Sequence, residues 1–173
     1  MIRNFPPALN AYSAQNWSVA EGFGGQMFFG NNQGLLSFDG DEWNVSYVAN
    51  YTSVRSVQMS ADGKQLLAGA TDEFGYFSPS SKDDSFVYHS LSNQLPKPIN
   101  SFGEIWHIVL VGHYTYFQGK NNVFVYRDNK FIADLPFSES VENIFSVDGR
   151  VIISTTGGLY VLNGTKMDMM PGV

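Results

Sequence analysis

The chain has 173 residues, of which 43% are hydrophobic and 15% charged, with a net charge of −6 and no cysteine. That balance excludes a disordered chain, and the lack of thiols excludes disulfides, thiol catalysis and cysteine-ligated metals. The ten basic residues form no run, which argues against nucleic acid or an anionic membrane as partner, and no apolar run approaches the roughly 18–20 residues of a membrane span, so direct insertion of this segment is not expected.

Residues 1–15 read as an extended lead-in segment, because Pro6-Pro7 bars helix there. The stretch from Met1 to Pro7 has no apolar core of a signal peptide, so an exported protein would have its signal outside this chain. A first strand-rich unit is expected at about 16–48, with turns at 21–25, 30–34 and Asp39-Gly40 and an outer strand beginning at Trp43. A second is expected at about 51–91, with its inner hairpin at Asp62-Gly63 and a polar loop from Ser78 to Ser85. A link rich in Pro and Asn, Ser92 to Asn100, precedes a third unit at about 103–135. A fourth is expected at about 139–165, where Asp148-Gly149 takes the place of Asp62-Gly63. Met167 to Val173 is a tail or the start of another unit. No window sustains a 3.6-residue period, so little or no helix is predicted. Aromatic residues reach 15% and suit pleated surfaces.

The units are copies of one pattern. Apolar runs at Met27-Phe28-Phe29-Gly30, Leu66-Leu67-Ala68-Gly69, Tyr116-Phe117-Gln118 and Val151-Ile152-Ile153-Ser154 recur together with anchors before and after them. A period near 40 residues with several short strands per unit predicts β-propeller blades. The fold class is therefore all-β: a partial β-propeller of about four blades in one domain, 1–173, each blade a small antiparallel sheet of up to four strands. Closed propellers use about 4 to 8 blades, so an arc of this length leaves terminal blade faces without neighbours. The chain is expected to be a piece of a longer protein, or to self-associate through those exposed faces, or to be a small closed ring.

A family resemblance rests on specific residues. Gln15-Asn16-Trp17-Ser18-Val19-Ala20 and the run from Met27 to Trp43 resemble the opening blade of the two-component regulator propellers. Val54-Arg55-Ser56-Val57, Asp62-Gly63 and Glu73-Phe74-Gly75-Tyr76-Phe77 resemble the second blade, and Tyr116-Phe117-Gln118 and Gly157-Gly158-Leu159-Tyr160 continue it more loosely. The resemblance implies the extracytoplasmic, periplasmic sensor region of a large membrane-anchored protein of Bacteroidetes. Further blades, a β-sandwich, a membrane helix and a histidine kinase or helix-turn-helix output would lie outside this chain. It also implies a ligand derived from an extracellular glycan, with carbohydrate sensing as the role.

Candidate binding residues come from blade equivalence. Trp17, Arg55, Trp106 and Glu142 stand at the same place, the start of each blade's first strand. Innermost strands line a propeller channel. Aromatic faces stack on sugar rings, and Arg and Glu bond hydroxyls, so the four residues are expected to contact an oligosaccharide. The same tryptophans also suit blade packing, and Arg55 suits a bond to a neighbouring loop.

No motif indicates chemistry. His89, His107 and His113 have no metal-ligand spacing, and Asp39, Asp41 and Glu42 lack the pattern of a calcium loop. No Gly-x-Ser-x-Gly elbow exists. Triplets at Asn16, Asn44, Asn50 and Asn163 match the glycosylation acceptor pattern but read as ordinary surface residues. No cofactor and no metal is expected, and the segment reads as non-catalytic. A protein interaction or dimerisation scaffold is the alternative. A propeller-type lyase or glycosidase would need paired carboxylates in one cup, whereas Glu73, Glu104 and Glu142 occupy different blade positions.

Overall fold

The computed structural model describes residues 12–82, 85–96 and 101–170. Most of the lead-in segment (1–11), Asp83-Asp84, the end of the Pro-rich link (97–100) and the last three residues lie outside the described residues.

The chain forms four antiparallel sheets of four strands each, with strands in chain order across each sheet. Blade one holds β1 (Asn16–Glu21), β2 (Met27–Asn31), β3 (Gly34–Phe38) and β4 (Trp43–Ser46). Blade two holds β5 (Val54–Met59), β6 (Leu66–Ala70), β7 (Phe74–Pro79) and β8 (Phe86–Ser90). Blade three holds β9 (His107–Val111), β10 (Tyr114–Gln118), β11 (Asn122–Arg127) and β12 (Lys130–Pro136). Blade four holds β13 (Val141–Val147), β14 (Arg150–Thr155), β15 (Gly158–Asn163) and β16 (Lys166–Met169). Among the described residues, helix is confined to single 3-10 turns at Phe23–Gly25 and Ser92–Gln94. The fold is thus an all-β partial propeller of four blades.

Local chemistry explains the strands and their turns. In the two-residue hairpin between β13 and β14, Asp148 and Gly149 both take positive φ, 48° and 75°. Asp and Gly tolerate that region, and the resulting turn matches the twist of the flanking strands. Middle strands of blades two and three are largely buried on both faces, since another blade lies on either side: every residue of β6 is buried. The outermost strand β8 instead alternates between half-buried and exposed, as expected where only one face meets protein.

Three core clusters join the blades in sequence. Phe28 and Leu35 of blade one pack with Val54, Leu66, Ala68 and Phe77 of blade two. Phe74 of blade two lies among Phe117, Phe124 and Tyr126 of blade three, with ring centroids 4.5, 5.3 and 5.6 Å away. Tyr116, Val123 and Val125 of blade three pack with Ile144, Val151, Ile153 and Leu162 of blade four. Each fully buried large side chain contributes roughly 1.5–3 kcal/mol of transfer free energy. Among the described residues no such cluster joins blade four back to blade one, so the blades form an open arc.

The inner ends of the blades approach too closely for side chains at two positions. A Cβ on Gly30 would lie 2.6 Å from Ser18 Oγ and 2.9 Å from the Val54 carbonyl oxygen of blade two. A Cβ on Gly69 would lie 2.4 Å from Ile105 Cγ2 of blade three and 2.5 Å from Ser56 Oγ. In both cases the first buried residue of the following blade presses on the glycine. Ser56 Oγ also donates to the Ile105 carbonyl at 2.9 Å, fixing that contact. Gly119, by contrast, has only ordinary contacts at 3.5 Å and beyond. We expect Gly69→Ala to lower unfolding stability by about 1–3 kcal/mol through overpacking, while Gly119→Ala changes it by less than about 0.5 kcal/mol. Urea denaturation of the two variants checks this, and equal losses would contradict it.

Candidate functional site: the channel mouth

Three of the four sequence-predicted residues share one backbone device. The β1–β2 pairing shifts register between Asn16 and Ser18, the β5–β6 pairing between Val54 and Ser56, and the β13–β14 pairing between Val141 and Asn143. The extra residues are Trp17, Arg55 and Glu142. A β-bulge leaves one residue out of the ladder and re-aims its side chain. In blade three the β9–β10 ladder begins at His107 opposite Gln118. Trp106 precedes it, its N–H donating to the Gln118 carbonyl at 3.1 Å. All four therefore stand at the same end of the innermost strand of their blade.

Three of the four meet. The Arg55 guanidinium carbon lies 4.2 Å from the Trp17 ring centroid and 5.5 Å from that of Trp106. The two indoles meet edge-on, with centroids 5.8 Å apart and planes at 77°. Residues from three successive blades thus form one cluster at the channel mouth. Arg55 Nε donates to Glu104 Oε1 at 2.7 Å, and its Nη2 lies 2.5 Å from the same oxygen. Its Nη1 donates to Asn32 Oδ1 at 3.2 Å, an oxygen that also accepts from Trp17 Nε1 at 2.8 Å. Each guanidinium nitrogen thus has a partner, and the side chain is only 15% exposed. Trp17 and Trp106 each remain 38% exposed. Glu142 does not join the cluster: it is exposed and makes no hydrogen bond or ion pair among the described residues.

Asn32 and Glu104 complete the cluster, and blade equivalence does not single them out. Asn32 reads in the sequence as an ordinary turn residue. Glu104 stands two residues before Trp106, and its partner Arg55 is 49 positions away. Only the proximity of blades two and three reveals the pair.

Buried and half-buried polar side chains hold the loops around this mouth. Asn31 Nδ2 donates to the carbonyls of Ser13 and Gln15 at 2.8 and 3.0 Å, and its Oδ1 accepts from Gln33 N at 2.9 Å. Asp72 Oδ1 accepts from the N–H groups of Phe102 and Gly103, both at 2.7 Å. Gln118 Nε2 donates to the Val141 carbonyl at 2.9 Å, while its Oε1 lies 2.5 Å from His107 Nδ1. Buried groups that satisfy backbone partners rigidify the segments they hold. The mouth is therefore pre-organised.

Other polar groups lie elsewhere. Glu73 is buried, and its Oε1 accepts from Phe74 N, Tyr88 Oη, Ser90 Oγ and Ser92 Oγ at 2.7–3.1 Å. Burial first, and the Glu73 charge second, push the Tyr88 hydroxyl pKa well above its usual value. The three histidines stay apart: His89 Nε2 contacts Ser78 Oγ at 3.0 Å, and His113 Nδ1 contacts Asp128 Oδ1 at 3.0 Å. His113 and Asp128 help line a cleft of about 500 Å³ at the opposite ends of blades two and three, together with Asp62 and Gln65 but no Trp, Tyr or Phe ring. Asp62 is held below the usual carboxylate range by the Ser60 hydroxyl, and Asp39 by the backbone N–H groups of Glu42 and Asp41. Both serve turns. Among the described residues no group of three or more His, Asp or Glu is placed to hold a metal ion, and no helix is long and apolar enough to cross a membrane.

No protein-family model matches the chain, and no curated protein matches it. Solved structures do. Two structures of the extracellular domain of BT4673 from B. thetaiotaomicron share its fold, one described as part of a proposed one-component system and the other of a proposed hybrid two-component system. The TM-scores are 0.64 and 0.61, with 16% and 17% identity over 91% and 93% of this chain. The match covers 22% of each of those chains, so this chain spans about a fifth of their length. At that identity the likeness establishes the fold. These neighbours come from the kind of signalling protein that the first two blades resemble in sequence.

Removing Arg55 unpairs Glu104 and unstacks two indoles. Charged hydrogen bonds contribute roughly 1.5–3 kcal/mol and a cation–π contact about 0.5–1 kcal/mol. We expect Arg55→Ala to cost about 2 kcal/mol in urea unfolding and to red-shift tryptophan emission. Arg55→Lys should recover less than half of the loss, because an ammonium lacks the planar fork. Unchanged emission in Arg55→Ala would contradict the stacked arrangement.

Proposed function

We propose that this chain is part of the ligand-sensing region of an extracytoplasmic signalling protein, located in the periplasm, and that its channel mouth binds a short glycan-derived ligand. The observation that carries this reading is the convergence of Trp17, Arg55 and Trp106 from three successive blades, with indole surface left free. Indole faces stack on sugar rings, and the surrounding amides match hydroxyls. The likeness in fold to extracellular domains of two-component signalling proteins supports the sensing role. A ligand touching both indoles spans blades one and three, while Arg55 of blade two connects them. It would favour whichever blade spacing presents the two rings best, and differential affinity of that kind is what shifts a population. Kinase or regulator output belongs to sequence outside this segment, which carries no chemistry of its own.

Isothermal calorimetry against a broad oligosaccharide panel tests this reading. Saturable binding is expected, weakened about tenfold in Trp17→Ala, equivalent to about 1.4 kcal/mol. Silence across the panel overturns it.

Blade four supports a second reading, an interaction scaffold. Phe145 and Val147 are 42% and 47% exposed. They alternate along β13 with Ile144, which packs on blade three. Phe145 stands opposite Ile152, which stands opposite Val161, giving an apolar row on the far face. Cover for that row would come from further blades of a longer protein or from a second copy. Sedimentation analysis separates the two. Dimers abolished by Phe145→Glu are expected if a second copy seats there, and a monomer at all concentrations removes the second copy as the cover.

A further inference from the structure

We propose that the channel mouth selects uncharged saccharides and discriminates against uronic acids and sulfated sugars. This rests on the glycan-binding reading and deepens it. Sites for acidic sugars present an arginine whose donors are free to fork onto the anion. Arg55 occupies the centre of the mouth but is already committed. Its Nε and Nη2 share Glu104 Oε1, its Nη1 bonds Asn32, and the Trp17 and Trp106 ring centroids lie 4.2 and 5.5 Å from its guanidinium carbon. An anionic ligand would have to displace Glu104, and would gain one ion pair only by breaking another.

The remaining charges on this rim point the same way. Its described acidic residues include Asp72, Glu104, Glu139 and Glu142, against Arg55 and Lys120. Asp72 is held by the backbone of Phe102 and Gly103, with no cation among its partners in the described residues. Glu139 accepts from Thr155 Oγ1 at 3.2 Å, likewise without a cation. The Lys120 carbonyl accepts from Val141 N at 2.8 Å, so its backbone adjoins the strand that carries Glu142. The described rim is therefore net acidic, within a chain of net charge −6. Like charge placed against a ligand rejects it, and such rejection sets specificity as much as attraction does. Exposed indole surface remains to meet a hydroxyl-rich, uncharged ring, while the Asn32 and Gln15 amides bond one another, Nδ2 to Oε1 at 3.2 Å.

The experiment compares neutral xylo-, manno- and malto-oligosaccharides with oligogalacturonides and chondroitin sulfate oligosaccharides, titrated into the 173-residue chain. At least one neutral series should bind about tenfold or more tighter than any anionic one, and the gap should narrow as salt screens the rim. Glu104→Gln releases Arg55 and should raise affinity for oligogalacturonides about fivefold or more. Glu142→Gln, at an exposed position with no hydrogen bond or ion pair among the described residues, should move the same preference in the same direction without stressing the fold. Tighter binding of an anionic series, lost in Trp17→Ala, overturns the selectivity while leaving the glycan site standing. Binding of neither class removes the site itself, and this inference with it.

Discussion

The inner ends of the blades can meet only because residues with no side chain stand where the next blade begins. Val54 presses on Gly30 and Ile105 on Gly69, each with less than 3 Å to spare for a Cβ. This steric constraint sets the distance between blades one and two and between blades two and three. It thereby sets how far apart their bulged residues stand. With the blades spread by even a methyl group, Arg55 could not cover the Trp17 ring at 4.2 Å while holding Glu104. The apolar clusters supply most of the cohesion, but the close approach at the axis determines the geometry of the mouth.

The bulges convert that geometry into a site. A regular innermost strand would turn alternate side chains toward the neighbouring blades. One extra residue in β1, β5 and β13 breaks the alternation, and the chain places an indole, a guanidinium and a carboxylate there, while the second indole, Trp106, stands just before β9. The guanidinium is then neutralised where it stands. A mouth built this way is rich in π surface and poor in free positive charge, whatever its ligand.

Much of this was legible in the amino-acid sequence because a repeat constrains many positions at once. Strand runs ending at Gly30 and Gly69, and turns such as Asp62-Gly63 and Asp148-Gly149, recur at matching places, so local turn and strand preferences agree with the period. The same register set Trp17, Arg55, Trp106 and Glu142 side by side on paper. What it could not say is which of them touch. Blade equivalence gives position along a strand, not the distance across the channel, so Glu142 reads like the other three although it stands apart. Asn32 and Glu104 were hidden for a related reason. Neither holds a repeated position, and each matters only through a partner in another blade. Arg55 proved to bond a neighbouring loop, one of the two roles its position suited, and that bond is what binds the indoles together.

Two of the latches around the mouth run from one blade to the next. Asp72 at the end of blade two grips the segment leading into blade three, and Gln118 of blade three grips the first strand of blade four. Each clasp is supplied by the earlier unit and received by the later one. In a linear array whose members contact chiefly adjacent members, such polarity makes blade two a template for blade three, and blade three for blade four. Assembly can then keep pace with synthesis from the amino terminus, each newly emerged sheet finding its receptor already in place.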